Sequence, residues 1–295
     1  MTGSGLRSVA FSMSDKPSLS VLIPWYERDE LEVTLAANGP FFRAQEAEVL
    51  ILNCGGDSGR LQALIAASGV SSVRQLNIST PRFNKSLALN IGLSQSRSDI
   101  VLTLDADIVM LDDSVRKTRM LPEDGSFVTI EWVYESDPAA TGSLKHRDIG
   151  NTSTIAVAPS AIFEFRFRGG TTVQHQLSRR DALGNRHATP GLLLAKKCEL
   201  LQVQGYNSEL EGWGWEDDDV LVRLQYAVGL RRVLRGAAFH LTHSDDRRIL
   251  QGSRKQSSQR NFLKCCRNYN HGLFLGTYGS DVTWAADKVT ETLTG

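Results

Sequence analysis

Short apolar runs separated by turn residues shape the first hundred positions. Leu19 to Ile23 (LSVLI) is an apolar run closed by Pro24, and it predicts a buried strand. Glu30 to Ala37 predicts a helix. Glu48 to Leu52 predicts a second strand that ends in the turn Asn53-Cys54-Gly55-Gly56-Asp57. Asp57 or Ser58 then caps a helix reaching about Ser68. Asn84 to Gln95 is alanine- and leucine-rich and long enough to predict a helix. Asp99 to Leu104 (DIVLTL) predicts a third strand. Strands alternating with helices predict an α/β fold with a mainly parallel sheet covered on both faces.

The second half is less regular. Phe127 to Trp132 and Thr154 to Ala158 predict strands, and residues 167 to 185 predict a loop that approaches ligand. Gly191 to Ala195 predicts a buried strand, with a helix starting at Lys197. Val220, Leu221, Leu224, Ala227 and Val228 recur at helical spacing, with Gly229 suited to the helix end. Residues 244 to 260 are charged and poor in large apolar side chains, which predicts a mobile loop.

Three stretches carry candidate chemistry. The strand DIVLTL runs into Asp105-Ala106-Asp107. Alternate side chains of an extended chain share a face, so both carboxylates point to one side at a strand's carboxyl end. That is where open α/β sheets bind ligands, and paired hard oxygens suit Mg²⁺ or Mn²⁺. An Asp-x-Asp after a strand is also an ordinary solvated turn. The stretch Glu211-Gly212-Trp213-Gly214-Trp215-Glu216-Asp217-Asp218-Asp219 is more informative. Four consecutive acids repel, and a helix start offsets that repulsion. Asp217, expected at or near the N-cap, can act as a general base beside a substrate hydroxyl, and Trp213 offers a flat face to a sugar ring. A capped helix with a solvated acidic first turn explains one or two of these acids, not four beside two tryptophans. Finally, His240 and His243 stand three apart after an apolar run. They are too few for a structural zinc site, but they can complete a site begun by Asp107.

Bulk properties narrow the class. The 295 residues suffice for one large α/β domain or two small ones. Lys+Arg and Asp+Glu both number 33, so no global field draws the chain to nucleic acid or to an anionic membrane. Four cysteines, Cys54, Cys198, Cys265 and Cys266, form neither a CxxC pair nor a disulfide framework, and read as free thiols. The first 18 residues lack the apolar core of a signal peptide, and no window approaches the roughly 18 apolar residues of a membrane span. These features predict a cytoplasmic protein that can work at the inner face of a membrane.

Taken in order, FNKSLALNIGL (Phe83 to Leu93), LDAD (Leu104 to Asp107), GWGWEDDD (Gly212 to Asp219) and HLTHSDD (His240 to Asp246) resemble the GT-A glycosyltransferases. The resemblance is closest to the β-1,4-galactosyltransferase and bacterial chondroitin-polymerase types, and the opening strand with Pro24 is similar to that of the family-2 transferases. It implies a Rossmann-like GT-A domain over 18–246, with a nucleotide-binding half (18–110) and an acceptor half (111–246). A flexible N-terminus (1–17) precedes it, and a mobile loop with a C-terminal extension (247–295) follows.

The implied activity is metal-dependent, inverting transfer of a hexose or N-acetylhexosamine from a nucleotide-diphosphate sugar, by expectation a UDP-sugar. The implied acceptor is a glycan, lipid-linked or small-molecule hydroxyl, and the implied cation is Mn²⁺ or Mg²⁺. The resemblance assigns donor contacts to Pro24, Tyr26, Phe83, Asn84, Lys85, Asp105, Ala106 and Trp213. It assigns acceptor contacts to Trp213, Glu216 and Asp218. The metal ligands are Asp107, His240 and His243, and the catalytic base is Asp217. Lys85 stands where the galactosyltransferases carry arginine, so it is expected at the diphosphate. Trp215 stands where their motif carries glycine, and is expected to reshape the acceptor pocket. Asn53-Cys54-Gly55 stands where family-2 enzymes often carry acids for the nucleoside. A retaining transferase, a nucleotidyltransferase and a non-catalytic binding relative remain as rival readings.

Overall fold

The computed structural model describes residues 16–111, 122–136, 191–243 and 253–294, together with six short strand segments between residues 148 and 187. The chain opens with β1 (Ser20–Trp25), α1 (Glu30–Ala44), β2 (Glu48–Cys54), α2 (Ser58–Ser68), β3 (Val73–Ile78), α3 (Lys85–Gln95), β4 (Ile100–Leu104) and β5 (Ile108–Met110). β6 (Ser126–Glu135) follows. The short segments are β7 (Asp148–Ile149), β8 (Thr152–Ser153), β9 (Ile162–Arg166), β10 (Thr172–Gln176), β11 (Arg179–Arg180) and β12 (Arg186–His187). The rest comprises β13 (Leu192–Lys196), α4 (Lys197–Gln202), α5 (Glu216–Arg223) running into a π-turn (Leu224–Val228), β14 (Arg231–His240), α6 (Arg254–Asn270), α7 (Tyr278–Ala285) and β15 (Val289–Thr294).

The large sheet runs β11-β12-β6-β13-β4-β1-β2-β3-β15, with β14 pairing β5 and β6. β3, β2, β1 and β4 are parallel neighbours in that order. The chain therefore winds outward from β1 in both directions. β1 and β4 flank the switch point, whose carboxyl-end crevice is the usual ligand site of such sheets. Alternation sorts the side chains. Val21, Ile23 and Trp25 of β1 pack with Leu31, Leu35 and Phe41 of α1, whereas Leu22 packs with Leu89, Ile91 and Leu93 of α3. Both faces are covered, which is why β1, β2 and β4 read as apolar runs. α3 lies close on the sheet at Gly92, where an added Cβ would come within 2.7 Å of a Leu52 methyl.

Several expectations hold with shifted ends. Asp57 caps α2 by accepting from the Arg60 amide, and Gly229 takes the left-handed conformation (φ 79°) that ends the π-turn. α1 continues through Pro40 to Ala44, where Phe41 and Phe42 are buried. Two expectations need correction. The stretch read as a loop from residue 244 to 260 is helical from Arg254 onward, residues 244–252 lying outside the described ones. Its buried stripe is Ser257, Asn261, Cys265 and Tyr269, a four-residue repeat of mostly polar side chains that apolar periodicity does not register. Within 167–185, β10 pairs with β9 and β11 with β12. The strand expected over 154–158 falls outside the described residues. Among the described residues, all four cysteines are free, and no helix is long and apolar enough to cross a membrane.

The last acid of the cluster has a packing role. Asp219 is 2% exposed and faces Arg223, 1% exposed, at 2.8 Å. It also accepts from the Tyr269 hydroxyl of α6 at 2.7 Å, while Arg223 donates to the carbonyls of Val203 and Gly205. Arg223→Met leaves a buried carboxylate without its cation. It is expected to cost about 3–5 kcal/mol of unfolding free energy in urea denaturation. A loss below about 1 kcal/mol would show that the pair is not a structural link.

Candidate active site

A half-open cleft with a cavity volume of about 160 Å³ lies at the carboxyl ends of β1 and β4. Its lining includes Pro24, Tyr26, Phe83, Lys85, Asp105, Ala106, Asp107, Trp213, Glu216 and His243, all singled out from sequence, together with Arg28 and Gly212. One wall is aromatic, the rings of Tyr26 and Phe83 lying 5.8 Å apart. The loop after β1 is pinned from behind. Trp25 donates its indole N–H to the Arg28 carbonyl, and Arg60 of α2 pairs with Glu27 and Asp29. This pinning presents the Arg28 side chain to the cleft, where no carboxylate of the described residues pairs with it.

Asp105 and Asp107 sit in the turn between β4 and β5 rather than along an extended strand. They diverge to different partners. Asp107 Oδ2 lies 3.0 Å from His243 Nε2 and 3.6 Å from His240 Nε2. One ligand atom from each of the three residues lies within 4.8 Å of the others, so the set can hold a divalent ion. Burial acts to raise the Asp107 carboxyl, but hydrogen bonds with His240 and His243 outweigh it and hold the group well below the usual carboxylate range. The histidines share neither a helix nor a tight turn. His240 ends β14, and His243 follows in the described segment after it. Glu135, which sequence reasoning missed, sits opposite His240 in the β6–β14 ladder and meets its Nδ1 at 2.7 Å. A carboxylate in that position orients an imidazole for metal. Two imidazoles and one carboxylate fit a first-row cation such as Mn²⁺.

The acidic cluster divides its work. The α5 N-cap is Trp215, not Asp217, so Asp217 lies inside the first helical turn. Asp217 Oδ2 lies 2.8 Å from Lys85 Nζ, which also meets Asp105 Oδ1 at 2.7 Å. Burial works against the Lys85 ammonium, but Asp105, Asp217 and Glu216 outweigh it and keep it protonated well above the ordinary lysine range. Asp105 is pushed up to about 6 by burial, with Lys85 pulling it back. Glu216 is pushed up to about 7, by burial first and by Asp217 second, and its Oε2 has no hydrogen-bond partner. Asp218 does not line the cleft and interacts electrostatically with Arg232 of β14. Asn84 does not line it either. Its side chain caps α3 through the Leu87 amide and donates to the Ser208 carbonyl.

The acidic loop rests on α6. Ser257 Oγ accepts from the Trp213 amide, Asn261 donates to the carbonyls of Glu211 and Gly214, and Arg254 stacks over the Trp213 ring at 4.3 Å. Trp215 is turned away from the cleft, against the expectation that it shapes the acceptor pocket. It is buried, with its ring 4.5 Å from that of Phe262. Its left-handed backbone (φ 72°) is strained for so large a side chain, and packing against α6 offsets that strain.

Residues 179–244, which take in the acidic loop and both histidines, match the family model described as the N-terminal domain of galactosyltransferase. No curated protein matches the chain by sequence. Among solved structures, it is similar to the mannosyltransferase PcManGT from Pyrobaculum calidifontis in complex with GDP-Man and Mn²⁺, with TM-score 0.47, 14% identity and coverage of 92% of this chain and 76% of that one. It is also similar to glucosyl-3-phosphoglycerate synthase from Mycobacterium tuberculosis in complex with Mn²⁺, UDP and glucosyl-3-phosphoglycerate, with TM-score 0.46, 15% identity and coverage of 85% and 80%.

The raised carboxyl of Glu216 has a consequence for stability. A folded-state value above the ordinary 4.5 means that the folded protein favours the protonated form. Stability from this group is full below about 4.5 and is lost as pH rises through about 7. Glu216→Gln cannot ionise. Measured without added metal, its melting temperature is expected to gain on that of the unsubstituted protein between pH 4.5 and 7 and to hold the gain above. A gap that shrinks over that interval would contradict this environment for Glu216.

Proposed function

We infer that the chain is a metal-dependent, inverting glycosyltransferase that moves a hexose or N-acetylhexosamine from a UDP-sugar to an acceptor hydroxyl. The observation that carries this reading is the juxtaposition, at one switch-point cleft, of a two-histidine, one-aspartate ligand set and an acidic loop whose Glu216 lines the cleft and whose Asp217 sits behind it, 2.8 Å from the cleft-lining Lys85. Asp107, His240 and His243 would hold Mn²⁺ (or Mg²⁺), which when bound offsets the negative charge of the leaving diphosphate. Arg28, a cleft-lining cation that no carboxylate of the described residues pairs with, would meet the phosphates. Tyr26 and Phe83 offer ring faces to the base, and Trp213 offers one to the sugar.

Asp217 accepts the proton of the acceptor hydroxyl as its oxygen attacks the anomeric carbon. The bond from that carbon to the diphosphate oxygen breaks with its electron pair, and attack from the opposite face inverts the centre. Glu216, whose side chain lines the cleft, would hydrogen-bond a sugar hydroxyl.

Thermal-shift measurements with UDP and a panel of UDP-sugars, with and without Mn²⁺, test the reading. A ligand selective for the folded state raises the melting temperature. A shift that requires both nucleotide and metal is expected, and no shift with any pair would overturn the assignment. His243→Ala is expected to raise the Mn²⁺ concentration needed by about 10-fold or more. Arg28→Ala is expected to weaken UDP binding with the metal titration unchanged.

Asp217→Asn is expected to lower turnover by about 100-fold or more while UDP and Mn²⁺ still bind. An active Asp217→Asn variant would remove this residue from the chemistry. The anomeric configuration of the product decides inversion.

A further inference from the structure

Lys85 is placed to do something other than hold phosphate. It opens α3, one residue after the Asn84 cap, and its side chain is only 15% exposed. Two of its three N–H donors are already engaged, one by Asp105 at the end of β4 and one by Asp217 in the first turn of α5. The two carboxylates are 112 positions apart in sequence, and this ammonium touches both. Asp105 shares its turn with the metal-ligand candidate Asp107, whereas Asp217 belongs to the acidic helix.

Without the ammonium, Asp105, Glu216 and Asp217 would face one another in a partly desolvated pocket, with no other cation of the described residues paired to Asp105 or Asp217. Behind Asp217 lie Tyr206, Thr103 and Gly191, none of which carries positive charge. The helix that carries the ammonium is tied down at two points. Asn84 fixes the start of α3 to Ser208, and Asn90 of the same helix donates to the Tyr206 carbonyl and to Asp281 of α7.

We propose that Lys85 is a positioning residue that fixes the Asp217 carboxylate and ties its placement to Asp105 on the donor side of the cleft. The role attached to Asp217 rests on the transferase reading, whereas the Lys85–Asp217 link does not. Lys85 thereby couples the two halves of the site. A donor that engages Asp105 changes what the shared ammonium feels, and Asp217 responds through the same contact.

The link itself is tested by a double-mutant cycle of melting temperatures for Lys85→Met, Asp217→Asn and the double variant, without ligand. The double variant is expected to lose less than the sum of the singles, because each single change already breaks the pair. Additive losses overturn the proposal, whatever the activity of the chain. Calorimetric titration with UDP and Mn²⁺, alongside UDP-sugar hydrolysis, tests the positioning role. Lys85→Met is expected to keep its UDP affinity within about 3-fold while kcat for hydrolysis falls about 100-fold, the scale of a misplaced catalytic group. Lys85→Arg is expected to recover part of kcat. Affinity weakened about 10-fold or more with kcat unchanged would make Lys85 a phosphate ligand and overturn the proposal. If the unsubstituted protein binds no nucleotide, the transferase reading fails on that result, and the cycle still decides the link.

Discussion

Asp105, Glu216 and Asp217 converge beside one partly desolvated cleft from distant parts of the chain, and Lys85 stands among them. Carboxylates out of water repel strongly, and their common relief is either protonation or a cation. Both occur here. Asp105 and Glu216 are pushed toward neutrality, while the ammonium of Lys85 is shared between Asp105 and Asp217. The fold is arranged around this contact. α3 must start where β4 ends, and α5 must point its first turn at both. The buried Arg223–Asp219 pair anchors α5 to the carbonyls of residues 203 and 205, just ahead of the acidic loop, and so fixes its direction.

Four consecutive acids looked like one functional motif, yet they have four environments. Glu216 faces the cleft, Asp217 meets Lys85, Asp218 acts electrostatically on Arg232, and Asp219 is buried against Arg223 and Tyr269. Helical geometry requires this division, because adjacent residues on a helix point about 100° apart. The same sequence therefore serves chemistry and packing at once, and a composition argument cannot separate the two. The two tryptophans split in a similar way. Trp213 lines the cleft under Arg254, and Trp215 anchors the loop to α6.

What was legible in the sequence follows from where the partners lie. Parallel strands β1, β2 and β4 show as apolar runs because both faces are buried, and the caps at Asp57 and Gly229 act on backbone groups next to them. β3 (VRQLNI) was not legible. Its Arg74 pairs with Glu48 and Glu291, and its Gln75 donates to Ser58 and Asn77, so polar residues sit inside a sheet on the strength of largely distant partners. α6 was hidden for the same reason, its buried stripe being mainly polar side chains that bond to the acidic loop. Arg28 and Glu135 carry no local motif. Each becomes recognisable only when β1 is set beside β4, or β6 beside β14.

The metal-ligand set is a statement about strand register. β14 pairs antiparallel with β5, so that His240 lies opposite Ile108 and the Leu241 amide donates to the Asp107 carbonyl at 2.8 Å. On its other edge, β14 runs parallel to β6, with His240 opposite Glu135. A one-residue slip on either side would turn the imidazole to the opposite face of the sheet. Two independent pairings therefore fix one ring, between the acid that orients it and the acid that shares its ligand. Ala238, fully buried two residues earlier on the same face of β14, makes such a slip costly, because a slip would carry Phe239 inward in its place. Packing at a residue with no chemistry of its own thus holds His240 beside Asp107.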